Sequence, residues 1–242
     1  MIKLVSYLAL FLMLPCAATA QELSFSFGDG GSISARSIQI ILLITVLSLA
    51  PGLLIMITCF PFLVTVLSIL RQAIGLQQAP PNMLIVSLAL FLTYFVMEPT
   101  FSAAWQDGLQ PLIEETLPTD VALDRALVPF RSFMAARVED ETYAAMASLR
   151  PGELSLVPEP QAPLSVLVPS FLLSEISRAF QVGFLVFLPF LIIDLVVAAI
   201  LMSMGMMMVP PAIVALPFKL AFFVVADGWS LVSNALVRSY FP

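Results

Sequence analysis

The 242-residue chain has no histidine, two cysteines, two lysines and two tryptophans. Without histidine it lacks the usual general base and the commonest metal ligand. Cys16 falls in an N-terminal leader and Cys59 in an apolar run, so a mature chain retains one cysteine and has no internal disulfide. Charge is also scarce. Charged residues make up 11% of the chain, against about 25% in a soluble domain. The net charge of −6 and the absence of any basic patch exclude nucleic acid as a partner. What fills the space is apolar: 60% hydrophobic residues and a mean hydropathy of +1.04, the composition of an integral membrane protein.

The start, MIKLVSYLALFLMLPCAATA, combines Lys3, an apolar run and the small residues Ala18-Thr19-Ala20. It reads as a signal peptide over residues 1–20, cut between Ala20 and Gln21, with an uncleaved first helix as the alternative. Residues 21–37 are polar, rich in Gly and Ser, and read as flexible. The first apolar helical hairpin is assigned to 38–97. Its opening run, Ile38 to Leu70, has no charge and exceeds the roughly 20 residues of one crossing. Pro51-Gly52 and Pro61 predict kinks or breaks there. Met83 to Met97, after the polar turn at 71–82, looks short for a full crossing. Residues 98–163 hold eleven of the sixteen acids and four arginines. Segments such as LDRALVPFRSFMAAR suggest amphipathic helices in an acidic soluble insertion. Residues 164–242 form a second apolar hairpin, turning at the methionine-rich stretch 202–211, MSMGMMMVPP.

The predicted fold is an all-α membrane protein of two long kinked hairpins and one small helical insertion. A cleaved leader places Gln21 and the insertion outside, and Arg71 and the methionine tip inside. Arg71 agrees with the positive-inside rule. Within the second hairpin, Asp194 and Lys219 interrupt apolar sequence, where a charge costs about 2.5–3.5 kcal/mol even on lenient scales. In an antiparallel hairpin, residues equidistant from the turn share a depth. Asp194 and Lys219 are both centred on position 206.5, within the tip, as are Glu175 and Arg238. Pairing of Asp194 with Lys219, within one chain or between chains, is the favoured reading; independent contacts with water and a proton relay are the others.

Three stretches resemble one family: QQAPPN with LALFLTYFVMEP, the long block FLLSEISRAFQVGFLVFLPFLIIDLVVAAILMSMGMMMVPP, and LPFKLAFFVVADGW. They are similar to the FliP family, the export-gate proteins of flagellar type III secretion, over about residues 45–97 and 165–240. The leader resembles the flagellar rather than the injectisome branch. The resemblance implies a helical hetero-oligomeric pore of about five FliP copies with FliQ and FliR, working with FlhB- and FlhA-type export components. Exported flagellar proteins would be its substrates, and the setting would be the bacterial inner membrane at the flagellar basal body, with the insertion periplasmic. Met202, Met204, Met206, Met207 and Met208 would form a gasket. Glu175, Asp194 and Lys219 would make salt bridges within and between subunits. The chain departs from the family at Phe62, where many members carry Arg, and Pro61 beside it is unusual. The family's assembly at the periplasmic side also implies that apolar helices can pack on other subunits rather than lipid.

The methionine cluster permits three readings. Methionine is a flexible filler of irregular cores. Its thioether is also a soft ligand suited to Cu(I), as in a copper carrier. A ring of methionines can alternatively seal a pore and deform around a passing chain, with Gly205 as a backbone hinge. An intramembrane aspartyl protease built on Asp194 and Asp227 is a further alternative, but IIDLV and VADGW lack the glycine-rich motif of that class. The favoured expectation is a protein that performs no catalysis and carries no cofactor.

Overall fold

The computed structural model describes residues 33–76, 79–150, 155–206 and 208–241. The expected signal peptide, with its cleavage site at Ala20 and Gln21, most of the 21–37 segment and Met207 lie outside the described residues. The described residues are almost all helical. The chain divides into two units between Val46 and Leu47, and the first described helix is α1 (Ile33–Met56). Residues 33–37 are therefore already helical. The described side chains of its Ser37–Met56 stretch are exposed, and the stretch is long and apolar enough to cross a membrane.

In the larger unit, α2 (Phe60–Ile74) lies at the centre. Phe62, Leu63, Val66, Leu67, Leu70, Ala73 and Ile74 recur at helical spacing and are buried. They pack against α3 (Asn82–Ala104), α7 (Leu164–Ser203) and α8 (Pro211–Val225). The break between α1 and α2 falls at residues 57–59. No break occurs at Pro51-Gly52, and Pro61 starts a helix instead of ending one. The first turn of a helix has no use for the missing N–H, so proline is tolerated there.

α3 does not stop at Met97. It runs through Glu98 and Pro99 and continues via a π-helical turn at Trp105–Leu109 into α4 (Gln110–Ile113). The continuous stretch Asn82–Ile113 is long and apolar enough to span a bilayer, so the run that looked short is the start of a long helix. Gly108, in the π turn, meets α5 (Thr119–Arg137); a Cβ there would lie 2.6 Å from the Ala126 backbone nitrogen. α5 and α6 (Asp140–Ser148) bury Met134, Val138, Tyr143 and Ala147 against Val166, Leu167 and Phe171 at the start of α7.

The 40-residue α7 contains Pro169 and Pro189 without ending. At 1.5 Å per residue it is about 60 Å long, twice the hydrocarbon thickness. Its Ser170 and Ser174 hydroxyls donate to Val166 O and Ser170 O one turn back, satisfying themselves in apolar surroundings. α8 is joined to α9 (Gly228–Arg238) through a 61° bend. Pro81, Pro118, Pro163 and Pro210 stand immediately before helices, fixing their starts.

Candidate functional site

The polar residues of the second hairpin occupy three levels along α7. The lowest is Glu175, fully buried. Its Oε1 accepts hydrogen bonds from Arg137 Nε at 3.2 Å and Arg178 Nη1 at 3.3 Å, and its Oε2 accepts one from the Tyr240 hydroxyl. Arg137 sits in the last turn of α5, where a cation also meets the negative end of the helix dipole. It donates from Nη1 to Ser239 O at 3.0 Å, and its guanidinium lies 4.1 Å from the Tyr240 ring centroid. A planar guanidinium suits this double use of its fork and its face. Burial, then the neighbouring Glu175 charge, pushes the Tyr240 hydroxyl well above its ordinary range, so it serves as a donor. The cluster thus ties α5, α7 and the C-terminal residues together. Arg238, which hairpin symmetry set opposite Glu175, is not among its partners; Arg137 comes from another part of the chain. Phe62 is fully buried beside this cluster, edge-on to Tyr240 at 5.7 Å. An apolar ring occupies the position where the family resemblance implied a cation, and Glu175 draws its cations from α5 and α7.

The middle level holds Asp194 and Lys219. Lys219 Nζ is 2.6 Å from Asp194 Oδ2 and donates a second hydrogen bond to Ala73 O at 3.1 Å. Lys219 is buried and Asp194 partly exposed. The ammonium therefore joins α7 to α8 and also meets the last-turn carbonyls of α2, where cations are favoured. This third element was not legible in the sequence, because Ala73 carries no polar side chain to signal it. Asp227, the other acid considered for protease chemistry, is exposed at the α8–α9 bend in a left-handed conformation with φ 46°. A carboxylate beside a lysine and an acid at a bend do not amount to the paired acids that such a mechanism needs.

The uppermost level is the tip. Gly205 has φ 74°. Its N–H donates to Met202 O at 3.1 Å and Met206 N–H to Leu201 O at 3.0 Å, the two bonds of a Schellman stop. Gly205 thus closes α7 in a defined geometry, a more fixed role than a free hinge. Val209 packs with Val197, Leu201 and Ala215 just below the tip. The described tip methionines are not packed: Met202, Met204, Met206 and Met208 are 61%, 67%, 41% and 97% exposed. Core filling within this chain does not describe them. Among the described residues, no three His, Cys, Asp or Glu side chains group as a metal site.

These features define a class: an all-helical membrane protein whose buried charges hold its own helices together and whose long hairpin ends in exposed thioethers. Comparison with known sequences makes this specific. A family model described as FliP family matches residues 43–236. The Flagellar biosynthetic protein FliP of Agrobacterium fabrum is 46% identical over 244 residues, covering 99% of this chain and 100% of its own length. Its counterpart in Caulobacter vibrioides is 47% identical over 233 residues, covering 94% and 86%, and that of Bacillus subtilis is 43% identical over 220 residues, covering 89% and 97%. The chain belongs to the FliP family.

Proposed function

We propose that the chain is a subunit of a flagellar protein-export gate in the bacterial inner membrane. Several copies, with FliQ and FliR, build the pore, and residues 202–211 seal it until an exported chain passes. The membership of the FliP family and the flagellar naming of its relatives support the setting. The observation that carries the sealing role is the exposed methionine tip on a hairpin whose stem is fixed by the Asp194–Lys219 pair. Methionine suits a seal because its unbranched thioether packs against many shapes and hydrogen-bonds only weakly. Several such tips facing one another would exclude water and ions, yet yield to a polypeptide. The acidic helices α5 and α6, packed on the start of α7, and the C-terminus would lie on the periplasmic side. No bond is made or broken in this mechanism; closure and opening are changes of packing.

Deleting residues 203–208 and measuring ion leakage of the assembled complex tests the proposal. Increased leakage with export at least partly retained supports the seal. An assembled, tip-deleted complex that stays tight to ions contradicts it. Copper binding lost on methionine-to-leucine change would favour the carrier alternative instead.

A further inference from the structure

The methionines of this chain fall into sharply different environments. Met97 and Met134 are 0% and 1% exposed, whereas Met202, Met204, Met206 and Met208 range from 41% to 97%. We propose that the four tip methionines are a site of reversible oxidation by hydroperoxides, which converts the seal into a leaky state. The inference rests on the sealing role above: a ring of tips closed at its centre still borders the aqueous channel on its outer face, where a molecule as small as hydrogen peroxide reaches the thioethers.

The step is an oxygen-atom transfer. The thioether sulfur attacks one peroxide oxygen, the O–O bond breaks and an S–O bond forms. The departing hydroxide takes up the proton of the transferred oxygen and leaves as water. Sulfur loses two electrons and the peroxide gains them. The product sulfoxide is polar and chiral, and restoring the thioether requires a methionine sulfoxide reductase supplied with a dithiol. A sulfoxide oxygen accepts strong hydrogen bonds, so it draws water into contacts that thioethers keep dry. The backbone of the tip is insulated from the change. Its Schellman bonds run between main-chain groups of residues 201–206, and oxidising the side chains removes none of them. Oxidation therefore alters the seal and spares the fold. Buried Met97 and Met134, part of the apolar cores, are shielded.

The test uses membrane vesicles bearing the assembled complex, treated with hydrogen peroxide and followed by peptide mass spectrometry and ion leakage. Sulfoxide should accumulate at Met202, Met204, Met206 and Met208 on the order of tenfold faster than at Met97 and Met134. Leakage should rise in step and fall again after treatment with the reductase and dithiothreitol. Met56 and Met83 are exposed too, so a variant with every tip methionine, Met207 included, changed to leucine assigns the effect: its leakage should not respond to peroxide. Oxidation at the tip no faster than at Met97 and Met134, or full tip oxidation without a rise in leakage, overturns the proposal. The sealing role fails by a different result, a tip-deleted complex that does not leak.

Discussion

The two ends of α7 solve opposite problems on one helix. Near its start, Glu175 is wholly buried and both of its oxygens are occupied by partners from α5, α7 and the C-terminus. At its far end, Met202 and Met204 are mostly exposed and touch no core of their own. A charge in apolar surroundings must be satisfied within the chain before assembly, because an unpaired one is too costly to bury. An exposed thioether demands nothing of the monomer and is left free for whatever packs on it later. Between them, Lys219 divides its bonds between Asp194 and Ala73 O, fixing the stem from which the tip projects. The contrast is between residues that build the subunit and residues reserved for the seal.

The largest expected effect comes from the building end. Glu175→Ala leaves Arg137 and Arg178 partly buried without their carboxylate, and removing one partner of a buried ion pair costs about 3–5 kcal/mol. Loss of accumulated protein in membranes is expected; a normal level would contradict the anchoring role. Glu175→Gln, which keeps an acceptor for Tyr240, should be milder.

Lys219→Met comes next, at about 1–3 kcal/mol for a buried acceptor left unmet, read as a lower midpoint of thermal unfolding in detergent. Exchanging the two charges, Asp194→Lys with Lys219→Asp, should rescue assembly only in part, because an aspartate at 219 has no proton to donate to Ala73 O. Complete rescue would show that the bond to α2 is dispensable.

Cys59 supplies a smaller, pH-dependent effect. Burial pushes its thiol up to about 12, so the folded protein holds the proton well above the usual thiol range. Stability is unaffected near neutrality. It should fall as pH rises above the unfolded thiol's value of about 8.5, since only the unfolded chain then releases the proton. Alkylation by maleimide at pH 8 should be slow until the protein is unfolded; rapid labelling would contradict the burial.

The smallest effect belongs to the reserved end. Changing the tip methionines to leucine should alter folding stability by less than about 0.5 kcal/mol, as is usual for exposed positions. A large loss would mean that the tip also builds the subunit.

Local physics explains which features the sequence made legible. Prolines 81, 118, 163 and 210 stand just before helices, where the ring restricts the backbone, but nothing in their spacing marked those starts in advance. Asp194 and Lys219 stand 25 positions apart around a single turn, so hairpin symmetry alone puts them at one depth, and the structure has them in contact. Pro51 was misleading, since a helix held in an apolar medium keeps its remaining hydrogen bonds and runs on. The partners of Glu175 were hidden for another reason. Arg137 and Tyr240 lie 38 and 65 residues away in other segments, and only tertiary packing brings them in. The same applies to Phe62, whose ring gains its meaning from Tyr240.

The division of labour along α7 is tested most directly by measuring mass and ion leakage together on purified complexes carrying the 203–208 deletion. The account predicts a complex of unchanged subunit composition that conducts ions where the unaltered one does not. A deletion complex that fails to assemble, or one that assembles and remains closed to ions, would contradict it.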